Sequence, residues 1–128
     1  MLGSTLTKDF AVISLSDNLS EKEDTTNRII AAAKTNFGIV FYSPHNSTYN
    51  NLLLAREILS QYRKFNTIVG IVKNIGTANE EVLITTLETF GIKYIDSFTT
   101  IFIGRSDTKI LNSKVKNDYA FVLKKERL

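Results

Sequence analysis

The chain has 128 residues, 16 Lys and Arg against 13 Asp and Glu, a net charge of +3, one His and no Cys. That length suits one domain, and 43% hydrophobic with 23% charged residues is the composition of a folded chain. The absence of Cys excludes disulfides, thiolate metal centres and a cysteine nucleophile, and a single His excludes a multi-histidine metal site, so no metal is expected.

In chain order, the polar residues Met1 to Asp9 lack the charged-then-apolar layout of a secretory signal. Phe10 to Leu15 is a short β-favouring run closed by Ser16, Asp17 and Asn18. Ser20 with Glu23 has capping-box spacing, and a helix is expected to run through Ile29, Ile30 and Ala31 to Ala33 until Asn36 and Gly38 interrupt it. Phe37 to Tyr42 reads as a second buried strand, followed by a loop from Ser43 to Asn50 with the only proline, Pro44. Leu52, Ala55, Leu59 and Tyr62 then recur at helical spacing, with Arg56, Gln61 and Arg63 expected to face water.

Thr67 to Lys73 is a third apolar strand, closed by Asn74, Gly76 and Asn79. Glu81 to Thr85 and Thr99 to Ile103 are strand-like, and Thr86 to Phe90 is expected as a short helix stopping at Gly91. Ile110–Leu111 and Tyr119 to Leu123 fit either edge strands or a closing helix. The order predicts one α/β domain: a mixed, partly parallel sheet flanked by helices.

No apolar stretch is long enough for a membrane span, and the basic residues are spread rather than striped, so neither membrane nor nucleic acid is an expected partner. A cytoplasmic setting follows. The Gly-rich phosphate loops and the G-x-S-x-G elbow are absent. Gly76 and Gly104 follow strands, where a turn or a close backbone approach to a ligand would need them. The loop Ser43-Pro44-His45-Asn46-Ser47-Thr48 joins a strand to a helix, where open α/β sheets bind ligands. From the residues alone the reading stops at a ligand-binding α/β domain, and no catalytic residue is assigned.

Longer strings go further. DFAVISLSD (9–17), FYSP (41–44), VGIVKNIG (69–76), EEVLITTL (80–87) and IDSFTTIFIGRS (95–106) occur in one order. Together they resemble the C-terminal half of the precorrin-3B C17-methyltransferases, also called cobalt-factor III methyltransferases, tetrapyrrole methylases of cobalamin biosynthesis. The resemblance covers about Leu2 to Ser113. It implies that residues 1–128 form the C-terminal domain of a two-domain S-adenosylmethionine-dependent enzyme that methylates a corrin-pathway macrocycle with ring contraction. The N-terminal domain of that family, with its Gly-Pro-rich loop, has no counterpart in the sequence, so an isolated half is expected to be inactive.

Carried over by position, the cofactor-binding residues implied are Tyr42 and Ser43, Asn74 and Ile75, and Thr99 and Thr100, with Thr85 and Thr86 a weaker addition. His45, Asn46 and Ser47 stand where the family has a basic stretch that would meet substrate carboxylates. Ile75 replaces a usual alanine, and Lys116-Asn117-Asp118-Tyr119 replaces a usual Thr-Pro-Arg-Gly-Tyr. The implied partners are a tetrapyrrole substrate and a second copy in a homodimer. Two alternatives stand beside this reading: a non-catalytic interaction module, and another corrin or porphyrin methylase.

Overall fold

The computed structural model describes residues 9–15, 22–42, 49–90, 95–96, 98–112 and 119–123. Its elements are β1 (Phe10–Ser14), α1 (Lys22–Lys34), β2 (Gly38–Tyr42), α2 (Tyr49–Tyr62), β3 (Ile68–Lys73), β4 (Glu81–Thr86), β5 (Thr99–Ile103), β6 (Thr108–Asn112) and β7 (Tyr119–Leu123). The first five strands of the sequence form one sheet in the order β1-β2-β5-β3-β4, and β6 and β7 form a separate antiparallel pair. Only β1 and β2 pair in parallel; β5 lies antiparallel between β2 and β3. The mixed, partly parallel α/β sheet expected from the sequence is therefore present. The C-terminal region resolves as strands rather than a closing helix.

Alternation decides which face each strand residue joins. Ile13, Ile39, Phe41, Ile101, Ile103, Val69 and Ile71 point to one face and are buried in a single core with Ile29, Ala32 and Ala33 of α1 and Leu52, Ala55, Ile58 and Leu59 of α2. Both helices thus cover the same side of the sheet. The other face carries a smaller cluster of Val72 with Ile68, Ile84 and Phe102, while Phe10, Val12 and Val82 are exposed. Interior β3 is apolar on both faces, as its run IVGIV requires.

In α1, Glu23 and Asp24 occupy the first turn and Lys34 the last, charges that oppose the helix dipole. Two expectations for α2 need correction. Tyr62 is not part of the buried stripe: its ring is half exposed, with Lys34 Nζ 5.7 Å from the centroid. Arg63 does not face water. Its guanidinium turns inward and donates to the carbonyls of Ala32 (3.0 Å), Ala33 (3.1 Å), Thr35 (2.6 Å), Phe37 (2.8 Å) and Gly104 (3.0 Å). These include C-terminal carbonyls of α1 that have no partner within the helix.

A third expectation also fails. Residues after Thr86 form a turn rather than a short helix, because the Thr89 hydroxyl bonds both the Thr85 (2.6 Å) and Thr86 (2.8 Å) hydroxyls. Leu87 N–H donates to Thr67 O (2.8 Å) and Glu88 N–H to Phe65 O (3.0 Å), so the segment is tied to the loop before β3. Among the described residues, no helix is long and apolar enough to cross a membrane.

Candidate functional site

β1, β2 and β3 run in the same direction, and β4 and β5 run against them. One pole of the sheet is therefore made of the carboxyl ends of β1, β2 and β3 with the starts of β4 and β5. Tyr42 follows the last β2–β5 pair, Phe41 with Ile101, and Thr100 precedes it on the neighbouring strand. Thr100 itself pairs with Val72 and Thr99 with Lys73. Tyr42, Thr99, Thr100, Asn74 and Ile75 thus lie at one pole on three adjacent strands, spaced about 4.8 Å from strand to strand. Ser43, His45, Asn46 and Ser47 lie outside the described residues.

The chain end of β1 is joined to this pole. Leu15 N–H donates to Tyr42 O (2.9 Å), and the buried Asn51 amide of α2 reaches Leu15 O at 3.4 Å.

These residues divide into builders and exposed surface. Asn74 builds the loop after β3: it holds a positive φ of 52°, which Asn tolerates better than most residues. Its N–H donates to Phe98 O (3.1 Å), its amide to Asn79 O (3.3 Å), and its carbonyl accepts the Thr77 N–H and hydroxyl. Gly76 continues the turn at φ 78°, with open space where a Cβ would sit, so its backbone conformation explains it and a ligand's approach is not needed.

Thr99 is also a builder. It is 2% exposed, and its hydroxyl donates to Asp96 Oδ1 (2.9 Å) while accepting the Asp96 N–H (3.1 Å). Asp96 Oδ1 further accepts the Phe98 N–H at 2.9 Å, and Oδ2 stands 3.9 Å from Lys73 Nζ. Desolvation pushes the Asp96 pKa up, but the Thr99 and Phe98 hydrogen bonds and the Lys73 charge together hold it below its ordinary 3.8.

Exposed apolar groups surround these builders. Ile75 is 56% exposed, Tyr42 43% and Phe98, whose carbonyl anchors Asn74, 70%. Phe98 was not singled out in the sequence; its place directly before the Thr99–Thr100 pair was the available signal. Thr85 and Thr86 are corrected: Thr86 pairs with Ile68 at the start of β3, which puts them at the opposite pole. Gly104 is corrected too. A Cβ there would meet Thr108 and Ile68 of the chain itself, so its closeness serves packing.

Asp96→Ala removes two turn hydrogen bonds and the Lys73 attraction. It is expected to lower stability by about 1 kcal/mol at pH 7, a modest loss because the carboxylate is exposed and screened. The folded pKa lies below the unfolded one, so the ionised form stabilises the fold above the ordinary carboxylate value. That stabilisation fades as pH falls through the folded pKa. Urea melts of both proteins from pH 7 to pH 2.5 check this; a gap that does not narrow below about pH 4 counts against the ionic share.

Residues 1–91 match the Tetrapyrrole (Corrin/Porphyrin) Methylases family. The chain belongs to this family. A probable cobalt-factor III C(17)-methyltransferase of Methanocaldococcus jannaschii is 40% identical over 124 residues, covering 90% of this chain and 49% of that relative. A precorrin-3B C(17)-methyltransferase of Sinorhizobium sp is 29% identical, covering 94% of this chain and 48% of the relative. The chain thus spans about half the length of these methylases. Among solved structures, the methyltransferase CobJ superimposes with a TM-score of 0.77 at 24% identity over 86% of this chain and 46% of CobJ. Uroporphyrin-III C-methyl transferase from Thermus thermophilus, complexed with S-adenyl homocysteine, gives 0.58 at 18% identity over 77% of this chain and 42% of its own. Both show the tetrapyrrole methylase fold.

Proposed function

We propose that residues 1–128 correspond to the C-terminal domain of an S-adenosylmethionine-dependent methyltransferase that methylates C17 of precorrin-3B, or of its cobalt form, with ring contraction in cobalamin biosynthesis. The observation in support of this reading is that strand register puts Tyr42, Ile75 and Thr100 at the same pole of the sheet as the exposed ring of Phe98. The names of the relatives that match 84–94% of this chain support the reaction and the substrate class.

The residues fit the cofactor. Ile75, Tyr42 and Phe98 offer apolar surface to an adenosine, and Asn74 and Thr99 hold the two loops that present it. Bound there, S-adenosylmethionine supplies a methyl group already activated on its sulfonium. The task left to protein groups is orientation, which contributes roughly 7–11 kcal/mol in favourable intramolecular cases and needs both walls of a cleft. This chain supplies one wall. On this reading it binds cofactor and does not catalyse alone; His45, Asn46 and Ser47 would face substrate, with less positive charge than a basic stretch would give.

Calorimetric titration with S-adenosylhomocysteine tests the proposal. Saturable binding is expected, weakened at least tenfold by Ile75→Glu, which puts a charge on the apolar rim. No saturable binding, or equal affinity in the variant, overturns the assignment.

A homodimer in the cytoplasm belongs to the same reading. The exposed Phe10, Val12 and Val82, on the sheet face opposite α1 and α2, favour association, whether in the enzyme or in a non-catalytic pairing module. Light scattering separates a dimer from a monomer.

A further inference from the structure

The pole remote from the candidate cofactor site also holds a cleft, of about 680 Å³. It is lined by the chain leaving α1, the chain between α2 and β3, and the turn after β5. β2 and β3 begin here and β5 ends here, so one strand length, roughly 15–20 Å, separates it from Tyr42 and Asn74. That volume lies within the range that takes small-molecule ligands.

The charge of the cleft is one-sided. Lys34, Arg63, Lys64 and Arg105 all line it, and among the described residues no carboxylate does. Asp107 is close by, 3.2 Å from Arg105 Nε, and answers part of that one charge. Arg63 is spent on the five carbonyls already described. Its pKa is lowered, first by burial and then by the Arg105 charge.

The walls are fixed rather than adaptable. Arg63 ties the end of α2 to the end of α1 and to Gly104 after β5. Asn36 closes the remaining side: its amide donates to the Ser106 hydroxyl and its Oδ1 accepts the Ser106 N–H, both at 2.9 Å. Lys34 and Lys64 stand exposed at the rim, outside this bonded frame. Positive charges gathered in a rigid concave surface gain by taking an anion that relieves their repulsion, more than the same charges dispersed in water would.

We propose that this cleft binds a small multivalent anion bearing phosphate or carboxylate groups. Lys34 and Lys64 supply the direct contacts, while Arg63 and Arg105 supply the positive field behind them. The ligand is separate from the cofactor and substrate of the opposite pole.

The test is a titration of the ¹⁵N-labelled full chain at constant ionic strength, one arm with pyrophosphate and one with citrate. Saturable amide shifts are expected at 34–36, 64–67 and 105–106, with 74–77 and 99–100 unmoved. The Lys34→Gln/Lys64→Gln double variant should bind at least tenfold more weakly while still folding cooperatively, with only the small drop in melting temperature that loss of the Lys34 charge at the end of α1 brings. Tighter pyrophosphate binding identifies a phosphate ligand, and tighter citrate binding a carboxylate one. Saturation by neither anion, shifts confined to the opposite pole, or unchanged affinity in the double variant overturns the proposal.

Discussion

Arg63→Ala is expected to lower the unfolding free energy by roughly 2–4 kcal/mol. The side chain ties the end of α1 to Phe37 before β2 and to Gly104 beyond β5, two places that the β2–β5 pairing joins to each other but not to the helix. A hydrogen bond to a charged group contributes about 1.5–3 kcal/mol, and a buried acceptor left empty costs about 1–3 kcal/mol. Thr35 offsets a little of the loss, because its hydroxyl also caps Ala31 O (3.3 Å) and Ala32 O (2.9 Å). Against the gain stands the desolvation of the guanidinium, so the full sum of five bonds is not realised. Arg63→Lys should recover only part of the stability, since an ammonium cannot span acceptors on three elements as a planar fork does. Urea denaturation measures both; a loss below about 0.5 kcal/mol for the alanine variant would show that water replaces the guanidinium at these carbonyls.

The same residue shows where sequence reading stops. Helical spacing sets Arg63, with Arg56 and Gln61, off the apolar stripe and toward water, and by periodicity that is reasonable. It faces inward because α2 ends one residue earlier, and the chain turns there toward the end of α1. A C-terminal carbonyl cluster on one helix is invisible from the pattern of another. The strand runs FAVIS, GIVFY, IVGIVK and TTIFI were legible because each is short, rich in β-branched and aromatic residues, and bounded by polar or turn residues. Their order was not. β5 enters antiparallel between β2 and β3, and nothing in the local run TTIFI states which neighbours it takes.

The site was legible in the same partial way. Asn74 and Thr99 stood out as strand-end residues, and the structure gives them turn-building work beside exposed Ile75 and Phe98. Thr85 and Thr86 stood out in a conspicuous string, yet strand direction places them at the other pole. Direction is a property of pairing, and a single strand's sequence carries little of it.

Gly104→Ala puts the rigidity of that other pole to a direct test, with an expected cost of about 1–3 kcal/mol from overpacking. An added Cβ would stand 2.9 Å from Thr108 Cβ, 3.0 Å from Thr108 Cγ2 and 3.1 Å from Ile68 O. None of these neighbours retreats easily. Ile68 O accepts the Gly104 N–H at 2.8 Å, so moving it breaks a bond made by the substituted residue itself. Thr108 is held from both sides of a tight turn: its hydroxyl accepts the Arg105 N–H (2.9 Å), and its own N–H donates to Arg105 O (3.2 Å). A downward shift of the melting temperature by roughly 3–10 °C is the expected reading for a chain of this length. The strain sits a strand's length from Tyr42, Ile75 and Phe98, so affinity for S-adenosylhomocysteine should stay within about twofold while the protein is folded. An unchanged melt would mean that the turn holding Arg105 and Thr108 yields at little cost, and the cleft beside it would then not be the fixed cationic receptacle inferred from its bonds.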